Sequence, residues 1–253
     1  MQERGPAAYI AELIGTFGLV FVITMSVVLF VPAPVTQPGV GQFQPFQDWA
    51  VVGLVHAFVL FFLIQTLAII CGAHFNPAVT VSLAAIRQIR ILDAGIYIVM
   101  QLAGATLGAL LTKAVVTEIG KGVNYGAPGI NTGRVGTTLA GMTVEAIGTF
   151  FLVWAIVGVA VNPAGLKDWS GFAIGTTLGF AVMILGPLTG GSLNPARAFG
   201  PSLVAHAFDG STGRWLLVYV LSPAIGGVLA AASYFWLFIQ PGKKGVTGME
   251  PVG

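Results

Sequence analysis

The chain has 253 residues, of which 56% are hydrophobic and only 8% are charged, and its formal net charge is +2. Soluble domains carry about 25% charged residues, so this composition excludes an ordinary soluble domain and indicates a membrane protein. The nearly balanced charge gives no reason to expect a nucleic-acid partner. The single cysteine, Cys71, excludes an internal disulfide and is expected to be a small buried apolar side chain.

Six apolar stretches follow one another along the chain, and each approaches or exceeds the roughly 20 residues that cross a bilayer as a helix. Six spans put both chain ends on the same side of the membrane. The first stretch has no small-residue cleavage site after it, so we expect a retained span and not a signal peptide. The predicted spans are about 8–31, 48–70, 92–115, 139–161, 169–187 and 214–238.

Two shorter apolar segments, at about 76–86 and 194–205, begin with Asn-Pro and are too short to span a bilayer. Broken elements of this kind are tolerated in a membrane only where they pack on protein or line a cavity. They are therefore predicted to be re-entrant half-helices. The remaining connections, 32–47 and 116–138, are predicted to be irregular loops, and residues 240–253 a solvated tail.

An internal repeat relates the two halves of the chain. The segment AELIGTFGLVFVI at 11–23 matches VEAIGTFFLVWAI at 144–156, which aligns Glu12 with Glu145. Each half contains three spans, an odd number, so the second copy must insert upside-down, as in folds whose sites lie near the midplane. We expect an all-α membrane protein with a single transmembrane domain over 1–253. Its inverted repeats are at about 8–115 and 139–238.

The tripeptide Asn-Pro-Ala occurs three times, at 76–78, 162–164 and 194–196. The first and third copies lie at matching places of the repeat and precede the half-helices. Asn is a strong N-cap and Pro suits the first helical position, so both copies predict a helix start. The copy at 162–164 ends a span and is predicted to be a turn. The two paired boxes are Asn76, Pro77 and Ala78, and Asn194, Pro195 and Ala196.

Two inverted half-helices would meet N-terminus to N-terminus near the middle of the membrane. Their dipoles place partial positive charge there, which repels cations. Amide donors from Asn76 and Asn194 would hold a water by its oxygen and interrupt the hydrogen-bond alternation that proton hopping needs. Backbone carbonyls of the approaching segments are expected to line the path as acceptors: those of Gly72, Ala73, His74, Gly190, Gly191 and Ser192.

The sequence resembles the aquaporin, or major intrinsic protein, family over roughly residues 8–238. The resemblance is carried by GAHFNPAVT at 72–80, GGSLNPARAFGP at 190–201 and the paired E-x-x-G-T-F motifs at 12–17 and 145–150. It implies six tilted helices, two half-helices and one pore in each subunit of a homotetramer. It also implies passive conduction of water and small neutral solutes, without a cofactor.

The same resemblance implies a narrow filter beside the boxes, on their outer side. Arg197 matches the filter arginine, and ungapped counting from the boxes places the other filter positions at His56, Val182 and Gly191. This set resembles the plant tonoplast-intrinsic branch and predicts a wider filter that also admits ammonia, hydrogen peroxide or urea. A glycerol-conducting channel is the alternative, but that branch has Asp where this chain has Ala198.

Other function classes fit the sequence less well than a channel. Buried Glu12 and Glu145 could relay protons in an ion-coupled secondary transporter. The resemblance implies instead a structural role as acceptors for the half-helix loops, and their equal register in the repeat favours that role. The short loops give no support to a third possibility, a structural membrane-junction protein. His74 lacks partner ligands for a metal, and no set of residues indicates an enzyme. Lys and Arg counts favour cytoplasmic chain ends, and we expect a plasma-membrane location.

Overall fold

The computed structural model describes residues 5–31 and 47–240. Within these ranges the chain is helical, and six helices are long and apolar enough to cross a membrane, which confirms the predicted spans. The predicted loop at 32–47 and the tail at 240–253 lie almost entirely outside the described residues. The spans, numbered in chain order, are Pro6–Phe30, Trp49–Cys71, Ile91–Val115, Thr138–Val161, Lys167–Thr189 and Thr212–Ile239.

The two predicted half-helices are present at Pro77–Ala85 and Pro195–Ala205. Each begins with proline after an extended asparagine N-cap, with φ of −155° at Asn76 and −148° at Asn194. Proline has no N–H to leave unpaired at this position, so the sequence itself fixes where each half-helix starts. At 1.5 Å per residue neither half-helix reaches across a hydrocarbon core of roughly 30 Å.

The two halves of the chain pack in the same way and interlock. The first span packs against the second and third, and the fourth packs against the fifth and sixth. The second and fifth spans join the halves. The first half-helix packs on the sixth span and the second half-helix on the third, so each half supports the half-helix of the other.

Glycines at matching positions allow the closest helix crossings. A Cβ added at Gly104 would lie 2.3 Å from the carbonyl oxygen of Leu13, and one at Gly226 would lie 2.0 Å from that of Ala146. No side chain fits at either crossing. Gly104 lies in the segment QLAGA at 101–105 and Gly226 in the matching segment PAIGG at 223–227. The small residues of both segments serve close helix packing, as is common between membrane helices.

The prediction of an irregular connection over 116–138 was wrong in part. This segment contains three short helical stretches, Thr117–Lys121, Asn124–Gly126 and Thr132–Val135. They are too short to show an apolar period and depend on packing: a Cβ at Gly120 would lie 2.4 Å from the ring of buried Tyr125. By contrast, the third Asn-Pro-Ala copy is the predicted turn, closed by a hydrogen bond from the Gly165 N–H to the Asn162 carbonyl at 2.9 Å.

Candidate functional site

The two half-helices meet at their asparagine caps. The side-chain Nδ2 of Asn76 donates to the carbonyl of Leu193, and that of Asn194 donates to the carbonyl of Phe75, each at 2.9 Å. Each Oδ1 accepts from the first N–H groups of its own half-helix, including that of Ala78 or Ala196 at 2.9 Å. Because an amide nitrogen has two N–H groups, each asparagine keeps one donor for the space beside it.

Glu12 holds the loop before the first half-helix. Its carboxylate accepts the backbone N–H groups of His74 and Phe75, both at 2.8 Å, and the side-chain amide of Gln101 at 2.7 Å. Ala73 and Phe75 adopt left-handed backbone conformations, with φ of 52° and 47°. Non-glycine residues stay in this region only when their surroundings hold them there, and Glu12 provides that support.

Glu145 does the same for the second half-helix. It accepts the N–H groups of Ser192 at 3.0 Å and Leu193 at 2.7 Å, and the hydroxyl of Thr189 at 2.6 Å. Leu193 is left-handed, with φ of 54°. Both glutamates are fully buried, and the carboxylate oxygens of each are used by the loop it supports.

Two tyrosines complete the repeat and were missed as a pair from the sequence. The Tyr97 hydroxyl donates to the carbonyl of Cys71 at 2.7 Å, and the Tyr219 hydroxyl donates to that of Thr189 at 2.8 Å. Each bond fixes the last residue of the span that leads into a half-helix loop. A signal was available, because each tyrosine lies four residues before the matching QLAGA and PAIGG motifs.

A cavity of about 80 Å³, here called the pore cavity, runs past both asparagines. At roughly 10–15 Å³ of this measure per water, it has room for a file of several waters. Its wall combines aliphatic side chains with a smaller number of polar groups. Its lining includes His56, Gly72, Ala73, His74, Asn76, Ser192, Asn194 and Arg197, with the apolar residues Leu19, Ile23, Leu60, Ile64, Val79, Leu152, Ile174 and Leu178.

Arg197 closes one end of the pore cavity. It also lines a second cavity of about 510 Å³, here called the vestibule, so the guanidinium lies between the two. The Arg197 side chain is 2% exposed, and its Nη1 donates to the carbonyl of Gly126 at 3.0 Å. This contact with the connection between the repeats could not be predicted from the sequence. Gly190 lines the vestibule and, unlike Ser192, is not part of the pore-cavity lining.

His56 lies beside Arg197 at the same end of the pore cavity. Its Nδ1 is 2.7 Å from the carbonyl of Val52, which can only accept, so Nδ1 carries the proton. In the neutral ring, Nε2 is then an acceptor, and it is buried without a protein partner among the described residues. The filter end therefore offers an acceptor from His56 and donors from Arg197.

The other two predicted filter residues are buried next to each other. Val182 and Gly191 are both buried, and a Cβ added at Gly191 would lie 3.4 Å from the Cα of Val182. Neither residue is part of the lining of the pore cavity or of the vestibule as described. The structure brings them together, and their role in the filter stays a prediction.

The fold and the cavity define a multi-pass membrane channel. The sequence profile of the family described as "Major intrinsic protein" matches residues 4–234. The chain is 37% identical to "Probable aquaporin AqpM" of Archaeoglobus fulgidus over 90% of this chain and 96% of that protein. It is 35% identical to "Probable aquaporin TIP-type RB7-5A" of Nicotiana tabacum, covering 92% of this chain and 87% of that one.

A solved structure has the same fold. The X-ray structure of the aquaglyceroporin from Plasmodium falciparum matches with a TM-score of 0.71 at 22% identity, covering 90% of this chain and 94% of that one. This chain therefore belongs to the major intrinsic protein family, the aquaporin family of membrane channels. The resemblance drawn from the Asn-Pro-Ala boxes is confirmed, and the protein is an integral multi-pass membrane channel and not a member of an enzyme family.

Proposed function

We propose that the protein is a passive water channel that conducts in single file and excludes protons and ions. The observation that carries the proposal is the pore cavity, in which Asn76 and Asn194 present donors between the N-termini of two half-helices. Both caps direct positive dipole ends at the passing water, which opposes cations. Two relatives with "aquaporin" in their names support the same reading.

The exclusion of protons follows from the fixed amides. Each Oδ1 is occupied by its own half-helix and one Nδ2 hydrogen is occupied by the opposite loop, so only an N–H faces the passing water. A water at this point accepts from both asparagines and has both of its hydrogens directed away along the pore. Protons cannot hop through a file whose polarity reverses at its centre.

His56 and Arg197 are the proposed selectivity filter. Water both donates and accepts, and it meets an acceptor on Nε2 of His56 and donors on Arg197. Ammonia, hydrogen peroxide and urea carry the same two functions and are the proposed further solutes. Val182 and Gly191 are proposed to leave the filter wider on one side, because neither adds a polar ring or a bulky group.

Glycerol conduction is the second candidate function. It is favoured by the fold match to an aquaglyceroporin, although this chain has Ala198 at the position where the glycerol-conducting branch has Asp.

We also propose that the protein is a homotetramer in a plasma membrane, with cytoplasmic chain ends and with the Arg197 end of the pore on the outer side. The proposal also includes one domain built from two inverted repeats.

Stopped-flow light scattering on proteoliposomes tests the function. Vesicles with the protein should shrink much faster than empty vesicles under an impermeant osmolyte, with a low activation energy. Inward gradients of urea, ammonia and glycerol then measure the solute range in the same vesicles. Shrinkage no faster than in empty vesicles would contradict the water channel, and glycerol entry as fast as water exit would replace it by the second candidate.

His56→Phe sharpens the filter assignment. The ring remains aromatic but loses the acceptor, so entry of ammonia and urea should fall while water conduction persists. Phe58→Leu is a matched control, because Phe58 lies on the same helix and is 58% exposed on its outer face. Unchanged solute entry in the His56 variant would remove His56 from the filter.

A further inference from the structure

The filter arginine depends on a segment that belongs to neither repeat. Residues 123–131, here called the strap, line the vestibule and present the Gly126 carbonyl to Arg197. Among the described residues this carbonyl is the one hydrogen-bond acceptor of the guanidinium, and the Nε of Arg197 is buried without a partner. The position of the strap therefore sets the position of the Arg197 guanidinium in the filter.

The strap has a backbone conformation that is intrinsically unfavourable. Asn124, Tyr125 and Gly126 are consecutive left-handed residues, with φ of 49°, 50° and 80°. For residues other than glycine, this backbone conformation costs roughly 1–2 kcal/mol of free energy per residue. A run of this kind persists only where the surrounding structure holds it.

The strap is held at both ends by charged side chains. At its start, the Nζ of Lys113 lies 5.4 Å from the centre of the Tyr125 ring, and the Tyr125 hydroxyl donates to the carbonyl of Thr117 at 3.1 Å. At its end, the N–H of Ile130 donates to Oδ1 of Asp209 at 3.1 Å.

Asp209 is itself fixed in place. Its carboxylate pairs with Nη2 of Arg214 at 3.1 Å, and the same guanidinium also donates to the Asp209 backbone carbonyl. The Asp209 side chain is 7% exposed, which is unusual for an aspartate in a connection between helices. A buried charged anchor of this kind loses its contact only at a considerable cost.

We infer that Asp209 is a positioning residue for the selectivity filter, which acts on Arg197 through Ile130, the strap and the Gly126 carbonyl. It lines neither the pore cavity nor the vestibule as described, so it does not touch a passing solute. The inference rests on the proposed role of Arg197 in selectivity. Without the anchor, the strap moves, the Gly126 carbonyl leaves the guanidinium, and the filter opening is no longer fixed.

The ratio of glycerol to water permeability in proteoliposomes is the readout, because loss of folded protein lowers both permeabilities and leaves their ratio unchanged. Asp209→Ala should raise this ratio roughly threefold, the size of effect expected from a residue that acts through others. Asp209→Asn keeps an acceptor oxygen for Ile130 and should restore most of the selectivity. Glu118→Ala is the matched control, a carboxylate that is 79% exposed and pairs with Lys121 on the same connection.

A double-mutant cycle with Arg197→Ala tests whether Asp209 acts on selectivity through Arg197. If Asp209 acts through Arg197, Asp209→Ala adds no further rise once the arginine is removed; an equal rise in that background would overturn the inference. A raised ratio in Arg197→Ala with an unchanged ratio in Asp209→Ala would also overturn it and leave the proposed function standing. An unchanged ratio in Arg197→Ala would instead refute the role of the arginine.

Arg214→Gln is a second test of the Asp209 anchor, for use if Asp209→Ala does not fold. This change keeps the Asp209 carboxylate and removes its ionic partner, at a side chain that is 31% exposed and tolerates substitution. A smaller rise in the glycerol-to-water ratio is expected. A folded Arg214→Gln protein with parental selectivity would count against the anchor.

Discussion

The loops before the two half-helices share a scaffold and differ in what they add to it. Each has a buried glutamate that accepts two backbone N–H groups, an asparagine that binds the opposite loop, and a tyrosine that fixes the preceding span. Three residues after the asparagine, however, one loop has Val79 and the other has Arg197. The shared residues build the pore, and the residue that breaks the symmetry gives it one selective end.

The largest effect is expected from the shared scaffold. Glu145→Ala leaves two loop N–H groups unpaired, which costs roughly 2–6 kcal/mol at about 1–3 kcal/mol per group. Glu12→Ala should cost a similar amount, since it also frees two N–H groups. Recovery of monodisperse protein from detergent and its melting temperature measure both. A loss in only one of the two variants would show that the loops are not equivalent.

The second prediction removes the asymmetry itself. Arg197→Val gives the second loop the residue of the first, and glycerol and urea permeability should rise about tenfold, equivalent to removing about 1.4 kcal/mol from the barrier. Water permeability should persist, because both asparagines remain. Stopped-flow measurements in proteoliposomes give both rates. Val81→Ala is the control on the other half-helix, because Val81 is 39% exposed and does not line the pore cavity as described; it should leave selectivity as it is.

The strap makes the selective end sensitive to acid. Burial raises the pKa of Asp209 above its ordinary value of 3.8, so this carboxyl gains its proton at a higher pH than an ordinary aspartate. Arg214 is the charged group that faces it from the sixth span, and Tyr219 lies further along that span. Protonation removes the charge that pairs with Arg214 but leaves an acceptor oxygen for Ile130. Acidifying the vestibule side from pH 7 should therefore raise the glycerol-to-water ratio only slightly, by no more than Asp209→Asn does, and it should do so before ordinary aspartates titrate. In Asp209→Asn the same titration should be flat; a parental slope there would assign the effect elsewhere.

A smaller loss of stability is expected when either of the two tyrosines is substituted, and it should be the same for both. Tyr97→Phe and Tyr219→Phe each remove one hydrogen bond to a span end, worth about 1 kcal/mol. The two losses should add in the double variant, because the sites share no partner. Thermal or denaturant unfolding in detergent measures them. A loss that is much larger for Tyr219 would tie its hydroxyl to the filter as well as to Thr189.

The smallest effect concerns Cys71. Its side chain is fully buried and does not line the pore cavity as described. Mercury reagents should therefore inhibit water flow only weakly, and Cys71→Ser should leave water permeability at the parental value. Strong inhibition that this substitution abolishes would place the thiol at the pore.

Much of the scaffold could be predicted from the sequence because it is local. Length and hydropathy locate the spans, and Asn-Pro marks the half-helix starts at Asn76 and Asn194. The family resemblance implied that Glu12 and Glu145 bind the half-helix loops, and their matching register in the repeat favoured that role. These features depend on residues close in sequence or on matching positions in the two copies.

The selective end could be predicted only in part. The contact between Arg197 and Gly126 joins residues 71 positions apart through a backbone carbonyl, which every residue carries. The anchor from Asp209 to Ile130 joins residues 79 apart and likewise uses a backbone N–H. No residue type announces such contacts, and the left-handed run at Asn124 and Tyr125 is set by packing and not by local preference.

The reciprocal amide bonds have a consequence for how the protein is made. Asn76 needs the carbonyl of Leu193, and Asn194 needs that of Phe75. During synthesis the first half enters the membrane long before residue 193 leaves the ribosome, and until then its polar loop has no counterpart. The pore cavity is lined by residues of both halves, so a half-made chain lacks part of its wall.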